Sequence, residues 1–383
     1  MDDWRVVDGA LSVWYDAPSH AAGAALVGRF SGLDAEVRAR GVRVRIPGTR
    51  VEDGVVLARR VSEAAAELGL RADASALQTL RVAVEAAEPE VVRAWWGTVL
   101  GYEWIGLGGL DDALSRDPGV LVRRSTDSTR LRNRIHLDVG RPAEVVQQAR
   151  ATVGQEPYGV YGLTLADPEG NELDLVPGDE LPGAGDWVAQ FGAMTFYPGA
   201  AAEFVHAVAE LADAAGIELL IDVRADGVAI DSGKDRWEDG EGDPVPAFVA
   251  LAQEIQQAAR GMGLTTAPDR LRFVQVAFDA VDIPKVQGFW LQALGYEHDP
   301  REYLADIYDP RWLSPVIMFQ QLDAADARLH ERSRMFLELA VPADQAAARI
   351  DTAVAAGGQI LQNGEKRCLV ADPEGNELAI NWA

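Results

Sequence analysis

The sequence predicts an α+β protein built as two copies of one unit, and three observations predict it. The eight residues ADPEGNEL occur twice, at Ala166–Leu173 and at Ala371–Leu378. The match is wider than that octapeptide. RVAVEAAEPEVVRAWWGTVLGYE from Arg81 corresponds to QVAFDAVDIPKVQGFWLQALGYE from Gln275, and RIHLDV from Arg134 corresponds to RMFLEL from Arg334. Upstream, EVRARGVRV from Glu36 corresponds to DVRADGVAI from Asp222, and VLARRVSEAAAELGL from Val56 to ALAQEIQQAARGMGL from Ala250. A unit of roughly 190 residues present twice is a tandem duplication, because a solenoid needs at least three short repeats.

Composition limits the partners. The chain has 383 residues, 48% hydrophobic and 25% charged, which is the make-up of an ordinary globular protein with several domains. Its net charge of -25 repels nucleic acid and anionic lipid, since affinity for phosphate backbones rests on clustered Lys and Arg. It begins MDDWRVVDG, without the basic and apolar regions of a signal peptide, and no apolar run reaches membrane-spanning length. Cys368 is the single cysteine, so no intrachain disulfide forms and a reducing cytoplasm is the expected compartment.

Taken in order, residues 1–75 read as strand Ala10–Asp16, a helix from His20 to Phe30, strand Val42–Ile46 and an amphipathic helix from Asp53 to Leu70. Residues 186–265 repeat this small αβ module, with an acidic loop from Ser232 to Pro246 expected to be exposed. Leu181–Asp186, LPGAGD, reads as a Pro/Gly linker between the halves. Residues 76–180 and 266–383 follow another pattern, with strands that alternate apolar and polar residues around one or two helices. In the strand Arg134–Val139, Ile135, Leu137 and Val139 share one face, while Arg134, His136 and Asp138 share the other. Glu172 and Asp174 lie on the polar side of the last strand of that module, and Arg81, Ala83 and Glu85 on the polar side of its first. Trp95, Trp96, Phe289 and Trp290 stand at helical spacing and read as core or interface and not as a stacking platform.

The helices ending in LGYE, the segment RNRIHLDV and the closing DPEGNEL together resemble the glyoxalase-like, or vicinal oxygen chelate, superfamily. All three occur in order within 76–180, and two and a half of them within 266–383. The resemblance implies tandem βαβββ modules whose half-barrel sheets enclose a small-molecule cavity. It implies ligands on the inner face of the first strand of each βαβββ unit and on the fourth. Carried over by position, the first half offers Arg81, a residue near Val122–Arg123, His136 and Glu172. The second offers Gln275, a residue near Phe319–Gln320, Phe336 and Glu377. A divalent metal wants three or four N/O donors. Arg81 puts a cation where a ligand belongs and Phe336 removes a donor, so the expectation is no metal. Each half is expected to enclose its own cavity, with Arg81 reaching Glu172 in the first.

His136 and Glu172 are the candidate catalytic pair, because imidazole is the side chain that titrates near neutrality and the carboxylate could hold its tautomer. Arg81, Arg134, Asp138, Gln275, Phe336 and Glu377 are the candidate ligand-binding residues. Bland readings stand beside these: a strand histidine hydrogen-bonded in the interior, and a DPEGN segment kept because Pro, Gly and Asn make a good turn. Arg132, Arg134, Arg332 and Arg334 could steer an anion or could pair within the molecule.

Residues 1–75 and 186–265 faintly resemble pterin-4a-carbinolamine dehydratases, through an early tryptophan (Trp4, Trp187), the strand-helix-strand order and a closing helix. That family's His-His-Pro segment is absent, and His20 and His206 are lone histidines in expected helices. Without a positioned proton donor these modules read as packing or oligomerisation modules, with a homodimer left open as one assembly. No nucleophile elbow, phosphate-binding glycine loop, zinc cluster or Rossmann fingerprint is present, so no cofactor is expected; Gly106, Gly108 and Gly109 read as loop. Three functions stay open: a metal-independent small-molecule binder or enzyme of the glyoxalase-like or antibiotic-resistance type, a metal-dependent lyase, isomerase or dioxygenase of that superfamily, and a 4a-hydroxytetrahydrobiopterin dehydratase-type protein.

Overall fold

A computed structural model of the chain describes residues 2–47, 51–106, 109–126, 131–301 and 303–383. Gly108 of the glycine-rich segment lies outside the described residues, while Gly106 and Gly109 end and begin strands rather than a loop. The fold is α+β and divides into two compact units. One holds residues 1–77, 141–143 and 177–271; the other holds 78–140, 144–176 and 272–383.

In the first unit the two small modules share one antiparallel sheet. Within the first copy its strands run in the order Arg5–Val7, Ala10–Asp16, Gly41–Pro47, Asp34–Arg38; the second copy continues with Leu220–Arg224, Gly227–Asp231 and Ala193–Pro198. The helices His20–Val27, Val51–Glu67, Ala202–Ala215 and Pro246–Gly261 bring apolar residues to the Val13, Val37, Ile221 and Ile230 side of this sheet. The copies meet where Glu36 stands opposite Asp222. There Arg38 pairs with Asp222 at 2.8 Å and Arg224 with Glu36 at 2.7 Å, a two-fold exchange that follows from aligned EVR and DVR. Burial would raise the Glu36 carboxyl, but Arg43, Arg224 and Arg45 more than offset it and hold it well below the usual carboxylate range.

Two details of this unit differ from the sequence reading. The Leu181–Asp186 segment is a packed turn and not a loose linker, because Leu181 and Ala184 are fully buried and the Leu181 N–H donates to the Trp187 carbonyl. The acidic loop is buried at its start, where the Ser232 hydroxyl oxygen accepts from the Ala193 N–H at 3.0 Å.

In the second unit the strands are exchanged between copies. One sheet runs Gln359–Asn363, Arg367–Ala371, Glu377–Trp382, Met335–Val341, Thr79–Ala86, Val120–Arg124, Gly109–Asp111 and Glu103–Gly106. The other includes Thr164–Ala166, Glu172–Glu180, Ile135–Pro142, Phe273–Ala280, Ile317–Gln321, Ile307–Tyr308 and Glu297–His298. Each sheet therefore takes its first half from one copy and its second half from the other. The expectation that each half closes on itself is corrected here. Duplicated strands carry the same apolar alternation, so pairing within a copy and pairing across copies bury the same faces, and sequence pattern alone does not choose between them.

The register confirms the alignment of the halves. Asp138 stands opposite Gln275 in one sheet as Glu338 stands opposite Arg81 in the other; His136 faces Ala277 as Phe336 faces Ala83. Trp96 and Trp290 are fully buried in the apolar core on the helix side of the sheets. Each indole donates to the aspartate of a DPEGN turn, Trp96 to Asp167 at 2.9 Å and Trp290 to Asp372 at 3.0 Å. This docking of helix on turn is a structural reason for both copies to keep the octapeptide.

Candidate functional site

Strand alternation sends Leu137, Val139, Val276 and Leu173 to the helix-side core and leaves His136, Asp138, Gln275 and Asp174 on the opposite, polar face of the second sheet. His136, Asp138 and Gln275 are nearly inaccessible there, at 2%, 6% and 1% exposure. One donor atom from each of His136, Asp138 and Asp174 falls within 4.8 Å of the others. The His136 Nε2 lies 3.5 Å from Asp138, and the Gln275 amide donates to the other Asp138 oxygen at 2.7 Å. The Thr164 hydroxyl donates to Asp174 at 2.6 Å. Two polar atoms of this group, His136 Nδ1 and Gln275 Oε1, are buried with no hydrogen-bond partner among the described residues. Such orphaned groups cost about 1–3 kcal/mol each unless something else satisfies them.

Glu172 sits two residues from Asp174 but serves the rim. It accepts from the Tyr158 hydroxyl at 2.8 Å and pairs with Arg132 at 2.6 Å. Burial and then the Glu172 carboxylate push the Tyr158 phenol up, so it remains a donor. Glu172 was the expected site residue, yet Asp174, on the same strand face, is the one that joins His136 and Asp138. Arg81 is not part of this group. It lies on the other sheet and forms a two-pronged pair with Asp111, at 2.5 and 3.1 Å, which corrects the expected Arg81–Glu172 contact. Arg134 is buried and donates to the Glu374 carbonyl at 2.9 Å, pinning the second DPEGN turn; burial holds its guanidinium below the usual value, against Asp372 and Glu374.

The equivalent face of the first sheet is filled differently. Phe336 packs with Ala83 and Ala379, and Leu369 adjoins them. Glu377 and Glu85 are both gripped by Arg332: Nε and Nη2 reach Glu377 at 2.6 and 2.8 Å, while Nη1 and Nη2 reach Glu85 at 2.5 and 3.0 Å. Those hydrogen bonds to Glu377 and Glu85 raise the Arg332 guanidinium. Glu338 is held by Arg123 at 2.7 Å and by the Asn381 amide at 3.2 Å.

The model of the glyoxalase-like domain family matches residues 81–176 and 275–381, the two segments that build these sheets. The chain belongs to the glyoxalase-like family. Among solved structures it is similar to glyoxalase I from Zea mays, with 10% identity over 79% of this chain and 92% of that one and a TM-score of 0.38. It is also similar to a putative dioxygenase from Bacillus subtilis, with 8% identity over 79% and 84% and a TM-score of 0.40. The cppA protein from Streptococcus pneumoniae shares 8% identity over 80% and 97%, with a TM-score of 0.36. No curated protein matches the sequence.

In this glyoxalase-like chain the expectation that neither copy could gather three N/O donors is corrected by His136, Asp138 and Asp174. One imidazole and two carboxylates suit a divalent cation, and the orphaned Gln275 oxygen stands beside them. The small modules contribute no comparable histidine. His20 is buried between Asp213, at 2.8 Å from Nδ1, and the Leu219 main chain, and His206 is a surface side chain near Glu210. No helix among the described residues is long and apolar enough to cross a membrane.

Proposed function

We propose that the chain is a glyoxalase-like small-molecule binder or enzyme whose site is the polar face of the second sheet, at His136, Asp138, Asp174 and Gln275. The observation that carries this reading is the convergence of three buried polar side chains, His136, Asp138 and Gln275, with the half-buried Asp174; two of the four keep atoms without a hydrogen-bond partner among the described residues. A folded chain tolerates such atoms where a ligand completes them. His136 is the proton-transfer or ligand-orienting group, Asp138 and Gln275 hold the geometry beside it, and Asp174 binds the ligand or balances charge on the imidazole. Glu172 fixes the Tyr158–Arg132 rim.

A second reading is favoured by the donor spacing itself. His136, Asp138 and Asp174 would hold a divalent cation, which would polarise a substrate oxygen as a Lewis acid. Elemental analysis after gel filtration and a chelator wash separates the two. Less than one equivalent of transition metal per chain supports the metal-independent reading, and one equivalent that is lost in Asp174→Ala establishes the other. A thermal-shift screen of small molecules, with hits confirmed by calorimetry, tests the site in either case. Hits should weaken at least about tenfold in His136→Phe, a change of about 1.4 kcal/mol. Hits indifferent to both His136→Phe and Asp174→Ala would place the function elsewhere.

A further inference from the structure

The two copies of the small module close the same corner in different ways, and one of them leaves a cavity. The helix His20–Val27 has 8 residues and its counterpart Ala202–Ala215 has 14. Register fixes the comparison. Tyr15 stands opposite Val42 as Tyr197 stands opposite Val228, so the N-caps Ser19 and Ala201 correspond. From N-cap to aligned strand residue the chain runs Ser19 to Glu36 in one copy and Ala201 to Asp222 in the other, four residues more and about one helical turn.

The longer helix fills one corner. Its last turn carries Asp213 to the start of the shorter helix, where the carboxylate accepts from the N–H groups of His20 and Ala21 at 3.1 and 2.9 Å and meets the His20 ring at 2.8 Å. Burial would raise this carboxyl, but hydrogen bonds from the Ala21 N–H and the His20 ring more than offset it and hold it below the usual range. That corner suits an ionised carboxylate.

The related corner has no such plug. The shorter helix stops early, Ala202 stands where the other copy has His20, and a cavity of about 440 Å³ remains, a size typical of small-molecule sites. The N–H groups of Ala202 and Glu203, which correspond to those of His20 and Ala21, have no acceptor among the described residues, and the N-cap Ala201 offers no side-chain oxygen. Phe30, Leu33 and Val223 give the cavity apolar walls. Among the described residues Arg29 and Arg224 line it and no acid does, although acids outnumber Lys and Arg by 60 to 35 in the chain. Arg224 is committed to Glu36 at 2.7 Å. Arg29 is 39% exposed and its pair with Glu67 is a weak surface pair, so its guanidinium can turn to a ligand.

We propose that this cavity binds a small monocarboxylate with an apolar body, of the size of benzoate, whose carboxylate caps the helix at Ala202 and Glu203 and pairs with Arg29 while the body lies against Phe30, Leu33 and Val223. The helix dipole and the unmet N–H groups favour negative charge there. An acidic chain repels anions elsewhere, so preference for a carboxylate over its neutral analogue reports on this corner. The cavity lies in the unit of the small modules, so its failure and that of the site at His136 are independent.

Ligand-observed NMR titration of the full chain with benzoate and with benzamide, its neutral isostere, tests the proposal. Wild-type protein should bind benzoate at least about tenfold more tightly than benzamide. Ala201→Asp, which gives the helix a carboxylate of its own at an exposed N-cap, should weaken benzoate at least about tenfold while the melting temperature does not fall. Arg29→Gln should weaken benzoate severalfold without moving the melt. Equal affinity for the two probes, no binding of benzoate, or benzoate binding indifferent to Ala201→Asp overturns the proposal. Should Ala201→Asp melt below wild type, Arg29→Gln decides in its place, and benzoate indifferent to that variant overturns the proposal.

Discussion

The two sheets of the glyoxalase-like unit have the same register and opposite chemistry. His136, Asp174, Thr164 and Ala277 in the second sheet correspond to Phe336, Ala379, Leu369 and Ala83 in the first, which are an apolar cluster there. Four acids of the first sheet, Glu85, Glu377, Glu338 and Asp111, are each matched to an arginine. In the second, Asp279 and Glu172 are matched in this way, to Arg328 and Arg132, while the His136 group keeps orphaned atoms. Duplication gave one face whose acids are ion-paired, the Glu338 oxygen without a hydrogen bond lying 2.7 Å from the Arg123 guanidinium, and one where His136 Nδ1 and Gln275 Oε1 have neither a hydrogen bond nor an ion pair among the described residues. The contrast supports the proposed site through polar groups that lack partners and not through density of charge, since the first sheet is the richer in ion pairs.

The largest effect that would break this contrast lies at Arg332. Removing it strands two carboxylates, one of them only 6% exposed, so Arg332→Ala should cost about 2–4 kcal/mol in urea unfolding. That is below the value for a fully buried pair because the Arg332 side chain is 36% exposed and partly screened by solvent. Arg132→Ala, at the equivalent position, should cost only ~0–1 kcal/mol, because Arg132 is 44% exposed and grips one carboxylate. Equal costs would mean that the first sheet is no more self-satisfied than the second.

Much of this was legible before the structure. The octapeptide and the strand alternation place His136, Asp138, Glu172 and their counterparts on matching faces, because side-chain period in a strand is fixed. Phe336 already marks the second copy's donor as lost. Even Asp174 was within reach, since ELDLV against ELAIN pairs it with Ala379 while both copies keep the glutamate. What sequence could not supply was the exchange of strands. The partner of Arg81 is Asp111 and not Glu172 because the two halves contribute to each other's sheets, and identical patterns make that choice invisible. The contact of Arg332 with two acids 45 and 247 residues away depends on that same exchange.

A sharper test replaces residues of the proposed site, His136 with its orphaned Nδ1 and its neighbour Asp174, and not a member of an arginine ion pair. The double substitution His136→Phe with Asp174→Ala copies the first sheet onto the second. Groups kept for binding burden the folded state, so this variant should be more stable than wild type by about 1 kcal/mol, although it should lose ligand binding. A rise in the urea midpoint at unchanged slope is the expected reading. A fall of several kcal/mol would mean that His136 and Asp174 are structural and that their partners in the fold matter more than any ligand.

The smallest effect concerns Gly119, in the row of the first sheet that reads Glu338, Arg81, Gly119, Asp111. A Cβ there would overlap the Asp111 carboxylate and the Arg81 guanidinium. Its counterpart is Val316, in a row where no ion pair has to cross the strand. Glycine is thus kept at 119 because Arg81 must reach Asp111 above it, and not for its backbone freedom. Gly119→Ala should then cost about 1 kcal/mol, since the displaced atoms are the ends of flexible side chains, 15% and 31% exposed, that can swing towards water. In an Asp111→Ala background the same substitution should cost close to nothing, because the atoms it displaces have already lost their partner. A double-mutant cycle measures this directly: a coupling near zero would show that the glycine and the ion pair are independent, and that the row owes its difference to something other than Arg81.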